Sequence, residues 1–250
     1  MPTTPPEFIT LQEVDSTNNY AMGLLQKGVG QDGAAVFALR QTAGKGRLGA
    51  RWESSPGKNI VLSLIAEMQW LPLYQHFQLS VATALGCIDF FSQYLKDGIR
   101  VKWPNDIFLG DSKAGGVLIE NQLKGNLWQW AVIGIGLNIN QERFDGGLKA
   151  TSLKNVTGAT YDVPELARQL HRMVLAQITR TREGAFEKQL ADYNERLFGR
   201  GREARLKKGN VIFSTTIDCV APSGELVTRD VIERKFVFDE VKWVGISPDR

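Results

Sequence analysis

Between residues 99 and 137 the chain offers strand after strand and no helix. Extended patterns at 99–103, 106–109, 113–123 and 127–137 are parted only by short turns, Gly110-Asp111 and Lys124-Gly125-Asn126 among them. Strands joined so tightly cannot belong to a regular strand–helix–strand alternation. Elsewhere the rhythm differs. Residues 7–14 alternate as a strand, and a helix starting at Asp15-Ser16, either of which can cap it, runs to Gly28. Further strands fall at 34–41 and 59–67. Phe77, Val81, Leu85, Ile88, Phe91 and Leu95 recur at helical spacing and predict a long amphipathic helix over 73–96. A second helical stretch opens at Val163-Pro164-Glu165 and continues to about 198, with a break at Gly184. The mixture predicts an α+β fold with a mixed β-sheet flanked by helices, not a doubly wound sheet.

From about residue 202 the chain turns to short strands and tight turns, about 45 residues that suit a small β-barrel. Two units are therefore expected, 1–200 and 201–250, and 250 residues suffice for both. No apolar run approaches the ~20 residues that cross a bilayer, and the start Met-Pro-Thr-Thr-Pro-Pro lacks a signal peptide's features. The expectation is a cytoplasmic protein with no membrane partner. Cys87 and Cys219 lie far apart in apolar segments and read as buried free thiols. A net charge of +3 is too mild to announce nucleic acid, and the basic run Arg200 to Lys208 reads as a solvated strand and hairpin.

Chemistry concentrates in a few motifs. Lys102-Trp-Pro-Asn-Asp106 is followed seven residues later by Lys113-Ala-Gly-Gly. Pro104 turns the chain there, placing a carboxylate, an amide, an indole and two lysines around one bend. Such a cluster is costly to bury unless it meets a charged ligand. Across a hairpin from Asp106, Lys113 becomes a cation held for a phosphate or carboxylate. Gly44-Lys-Gly-Arg-Leu-Gly49-Ala-Arg-Trp52 is a second such signal. Its glycines let backbone N–H groups approach an anion, and Lys45, Arg47 and Arg51 add charge. A segment this flexible is expected to order on its ligand and exclude water. Trp52 and Trp103 serve either as base-stacking platforms or as core.

The glycine pattern formally fits a dinucleotide fingerprint, but no helix follows it. Gly134-Ile-Gly136-Leu-Asn138 fails as well, and no P-loop occurs. Asp15-Ser-Thr-Asn18, beyond capping a helix, makes with Gln41 a donor–acceptor set suited to a neutral polar ring. Only His76 and His171 exist, both in predicted helices, which excludes a histidine triad or a His-rich metal site. What remains is chemistry by positioning and charge stabilisation.

Asp15-Ser-Thr-Asn18, Gln41-Thr-Ala-Gly-Lys-Gly-Arg47, Lys102-Trp-Pro-Asn-Asp106, Lys113-Ala-Gly-Gly-Val-Leu-Ile-Glu120 and Gly134-Ile-Gly-Leu-Asn138 occur in the order seen in biotin protein ligases. The resemblance covers nearly the whole chain. It implies a class II synthetase-like fold with a small SH3-like C-terminal barrel. It also implies formation of biotinyl-5′-adenylate from biotin and Mg2+-ATP, then transfer of biotin to a lysine of a biotin carboxyl carrier domain. By motif, Ser16, Thr17, Asn18 and Gln41 would hold biotin, and Gly44, Lys45, Gly46 and Arg47 would fold over biotin and adenylate. Lys113 would pair with the biotin carboxylate and then the α-phosphate. Lys113, Arg47 and Asp106 are thus the catalytic candidates, with Asp106 orienting Lys113 or serving the Mg2+-phosphate region. Trp52, Asn105 and Asn138, with Lys45 and Arg47, would lie along ATP. Lys45 and Leu48 stand where arginine is common in the family. Only a few residues precede the first strand, so the resemblance is to the monofunctional type without operator DNA binding; it leaves a homodimer open. A lipoate or octanoate ligase of the same superfamily and a non-catalytic biotin-sensing or nucleic-acid-binding protein are the alternatives.

Overall fold

The computed structural model describes residues 6–144 and 149–247; the outermost residues of both expected units lie outside them. Strand β1 (Phe8–Val14) leads into helix α1 (Thr17–Gln26), β2 (Ala35–Gln41), β3 (Asn59–Glu67) and helix α2 (Phe77–Ser92). Then come β4 (Ile99–Lys102), β5 (Asp106–Leu109), β6 (Ser112–Lys124) and β7 (Leu127–Asn138). Helices α3 (Leu153–Thr157), α4 (Val163–Arg182) and α5 (Phe186–Glu195) follow. The seven strands form one sheet in the order β1-β2-β3-β7-β6-β5-β4. Only β1 and β2 run parallel, because α1 carries the chain back between them. The helix-free stretch pairs antiparallel throughout, as its tight turns require.

Alternation along the central strands sorts the two faces. Ile60, Leu62 and Leu64 of β3 and Ile133, Ile135 and Leu137 of β7 join the main core with Phe77, Phe90 and Phe91 of α2 and Leu170 and Val174 of α4. Val61 and Ser63, Gly134 and Gly136, and Gly116 fall in the opposite phase. Helix α1 covers one end of that second face through Ala21 and Leu25, which meet Val36, Ile65 and Val132. The rest of the face is left for the site.

Helix α2 differs from its expectation. It begins after a short 3-10 turn at Leu73–Gln75 and ends at Ser92. Buried residues go nearly all round it, including Thr83, Gly86 and Cys87. It is a central helix between the sheet and α4 rather than an amphipathic surface one. Cys87 is buried, whereas Cys219 is only half-buried.

Strands β8 (Glu203–Lys208), β9 (Val211–Val220), β10 (Leu226–Arg229), β11 (Glu233–Phe236) and β12 (Lys242–Ile246) form a second, antiparallel sheet ordered β11-β10-β9-β8-β12. Among the described residues no pairing of β11 with β12 closes it into a barrel. Its apolar face, with Ala204, Leu206, Ile217 and Phe236, joins the main core. No helix among the described residues is long and apolar enough to cross a membrane.

Candidate functional site

The uncovered sheet face carries a cleft of about 270 Å³. Its lining includes Ser16, Thr17, Asn18, Gln41, Lys45, Gly46, Arg47, Trp52, Asn105, Asp106 and Lys113. Segments far apart in the chain thus meet in one place. Gly44 stands just behind, where a Cβ would lie 2.4 Å from the Trp52 carbonyl oxygen. Asn138 is the exception: it lines a neighbouring cleft, shared with Trp52 and Lys113, and its amide donates to the Thr151 carbonyl at 3.0 Å.

The floor is a closed hydrogen-bond network. Gln41 Oε1, at the end of β2, accepts from the Thr17 amide at 2.7 Å and from the Thr17 hydroxyl at 3.0 Å. That is the helix cap expected from Asp15 or Ser16; Ser16 sits at the cap position, but its side chain makes no capping bond. Because the Thr17 N–H demands the oxygen of Gln41, the Gln41 NH2 is left as the donor. Ser63 Oγ lies 2.6 Å from Asn18 Oδ1 and 2.7 Å from Thr17 Oγ1. Asn18 Nδ2 donates to Glu120 Oε2 at 2.7 Å, so a carboxylate fixes which way that amide points. Ser16, Thr17, Asn18 and Ser63 are all buried. Of these, Thr17, Asn18 and Ser63 are hydrogen-bonded, and buried polar groups so paired make a rigid surface.

Glycines make this floor possible. A Cβ on Gly134 would sit 2.4 Å from Asn18 Oδ1, and one on Gly136 would sit 2.3 Å from the Trp52 indole. The Gly134-Ile-Gly136 pattern therefore serves the close approach of two side chains, not a phosphate. The Trp52 indole N–H is buried there with no protein partner among the described residues.

Lys113 and Asp106 face each other across the β5–β6 hairpin, Nζ to Oδ1 at 2.6 Å. A register shift between Ile107 and Phe108 re-aims this end of the ladder. Lys113 Nζ also lies 6.0 Å from the centre of the Trp52 ring. Lys102, eleven residues earlier, points elsewhere. Its ammonium sits among the rings of Phe108, Trp243 and Phe198 at 5.0, 5.3 and 5.7 Å. Desolvation there pulls its pKa below the usual lysine range, with Asp106 opposing. Trp103 is core, and its indole donates to the Gly224 carbonyl at 2.9 Å.

The 44–52 loop, expected to fold over a ligand as a lid, lines the cleft from the other side. Within it Gly46 N–H donates to Ala50 O at 2.7 Å and Trp52 N–H to Gly44 O at 3.0 Å, closing a small hairpin. Leu48 at its tip is 81% exposed and takes φ +53°. Lys45 reaches Glu120 at 3.5 Å, and Arg47 reaches Asn105 at 3.4 Å and Asp239 at 3.0 Å. Among the described residues no three His, Cys, Asp or Glu side chains gather to hold a metal. Asp106 is a lone carboxylate with one oxygen given to Lys113. That suits Mg2+ arriving with phosphate oxygens and its own waters rather than a resident ion.

Two contributors escaped the sequence reading. Ser63 is a serine in an otherwise apolar strand, and that interruption was its signal. Glu120 stood in a quoted motif without a role.

Residues 10–138 match the model of the Biotin/lipoate A/B protein ligase family. The chain is 30% identical over 198 residues to the biotin–[acetyl-CoA-carboxylase] ligase of Mycobacterium tuberculosis, covering 78% of this chain and 72% of that one. It is 32% identical over 160 residues to the bifunctional ligase/repressor BirA of Bacillus spizizenii, covering 62% of this chain and 49% of that one. The chain thus spans about half the length of the bifunctional relatives it matches. The biotin protein ligase of Aquifex aeolicus, solved with biotin and ATP, has the same fold: TM-score 0.79 at 24% identity, over 95% of this chain and 98% of that one.

Proposed function

The chain belongs to the biotin/lipoate A/B protein ligase family, and from that premise we propose that it is an ATP-dependent biotin ligase. It activates biotin to biotinyl-5′-AMP with release of pyrophosphate, then passes biotin to a lysine of a biotin carboxyl carrier domain. One observation carries the reading: a fixed polar floor and the Lys113–Asp106 pair line a single cleft.

The chemistry follows from the parts. Biotin's ureido ring is neutral, with a carbonyl acceptor and two N–H donors. The Gln41 NH2, its orientation set by Thr17, supplies a donor for that carbonyl, and the buried hydroxyls and Asn18 complete the match. At the other end a carboxylate oxygen must attack an α-phosphorus against mutual repulsion. Lys113, held by Asp106, and Arg47 from the lid reduce that repulsion as the O–P bond forms and pyrophosphate leaves. Mg2+ entering with ATP would neutralise the outgoing phosphates, with Asp106 the carboxylate able to hold it. The acceptor lysine's amine then attacks the activated carbonyl, and AMP leaves. Trp52 and Asn105, and Asn138 in the neighbouring cleft, serve the nucleotide. Residues 201–250 form the appended unit.

The test is pyrophosphate release with Mg2+-ATP and biotin, lipoate or octanoate in separate reactions, without acceptor. Release with biotin alone is expected. Release only with lipoate or octanoate would assign the chain to the other branch of the family, and silence in all three would sink the ligase reading.

A further inference from the structure

The lid arginine is held from outside the catalytic sheet. Arg47 Nη2 lies 3.0 Å from Asp239 Oδ2, and its guanidinium lies over the Phe238 ring at 5.4 Å. Both partners belong to the turn between β11 and β12. That turn is anchored in its own right. The Phe238 ring packs 5.5 Å from Trp103 and 6.1 Å from Phe77. Val237 N–H donates to Glu240 Oε2 at 3.0 Å. A flexible loop residue is thus gripped by a rigid one 192 positions away.

Resting on the ligase reading above, we propose that Asp239 is a positioning residue for Arg47. Arginine carries five donors in a flat fork. Asp239 takes an N–H of Nη2 and Asn105 one of Nη1, which sets the plane of the guanidinium and leaves its other N–H groups for the anion. The Phe238 face limits the remaining rotation. Without Asp239, the incoming phosphate would have to order a long side chain on a glycine-rich loop. Ordering one such side chain carries an entropic cost that weakens binding.

The backbone at this turn supplies a clean test. Asp239 takes φ +67°, a region glycine enters freely. Asp239→Gly therefore removes the carboxylate while easing the backbone, so the fold is retained. Asp239→Asn keeps an acceptor oxygen without the charge, and asparagine also tolerates this region. Expected for Asp239→Gly is an adenylation kcat/KM about tenfold lower, short of the 10²–10³ typical for removing a contacting group. Adenylate should escape correspondingly faster, and Asp239→Asn should fall between. Limited trypsin cleavage after Arg47 in the unliganded protein should speed up in the same order. Unchanged kinetics in Asp239→Gly would overturn the proposal, whatever the cleavage pattern. Should the wild type make no adenylate at all, the ligase reading falls by itself; equal cleavage rates would then overturn the grip on Arg47 as well.

Discussion

The floor and the lid of the cleft are built on opposite terms. Thr17, Asn18 and Ser63 are buried on a helix start and a central strand and exchange hydrogen bonds of 2.6–3.0 Å with Gln41, Glu120 and one another. Arg47 and Lys45 sit on an exposed hairpin, and their side-chain bonds at 3.0–3.5 Å go mostly to other segments' rims. A floor of that kind can discriminate a ring, because a wrong ligand leaves buried groups unpaired. A lid of that kind can move, because little is lost when it opens. On the proposed reading, selection belongs to the floor and retention to the lid.

Lys113 gives the harshest test of that division. It stands on β6, so its loss should strike chemistry rather than retention. Lys113→Ala is expected to slow adenylate formation by about 10²–10³-fold, the effect of removing one preorganised charge stabiliser. Single-turnover rates with biotin and Mg2+-ATP measure it. Activity within a few-fold of wild type would take Lys113 out of the mechanism.

Next comes Gly134→Ala, aimed at the floor itself. Its Cβ would press on Asn18 Oδ1 and break the bond to Ser63 or to Glu120. About 2 kcal/mol should be lost, roughly thirtyfold in biotin affinity, and the melting temperature should fall as well. A titration combined with a thermal melt checks both. Weakened binding with an unchanged melt would mean that the floor is not the rigid body described.

How much of this was legible in the chain itself depends on distance along it. The Lys113–Asp106 pair could be seen because a tight hairpin separates them by seven residues, so local turn chemistry forces them together. The sheet's mixed character could be read from strands with no room for a helix between them. The limits of α2 could not, because its apolar residues continue through a 3-10 turn and only packing ends the helix. Ser63 was hidden for a related reason: on β3 a small polar side chain barely disturbs the apolar pattern. Asp239 was beyond reach, since no local rule joins a turn in the last strands to a loop before β3.

Arg47→Gly addresses the lid. It removes the contacts to Asn105 and Asp239 but no buried group, so the melt should stay within error. Adenylate release should quicken by about an order of magnitude, the worth of one charge-assisted contact of about 1.5 kcal/mol. Trapping released adenylate against time measures it. A large loss of thermal stability would show that the lid supports the fold and is not a separate, weakly held part.

The smallest effect expected is that of pH, and it separates the two parts without touching either. His171 of α4 is buried, and its Nε2 lies 2.7 Å from the Gly33 carbonyl oxygen, so that nitrogen donates. Desolvation lowers its pKa from 6.5, aided by Arg172 and Arg168 and opposed by the bond to Gly33. The unfolded chain then binds this proton more readily than the folded one. Stability tied to His171 is therefore full above about pH 6.5 and declines as pH falls toward the folded value. Melts between pH 7.5 and 5.5 should show the decline, and His171→Gln, neutral throughout, should flatten it. His171 grips the chain before β2 from the helix side, away from the lid, so adenylate release measured over the same range should keep its rate. If release quickens in step with the loss of stability, the lid is coupled to the helix layer and the division between floor and lid does not hold.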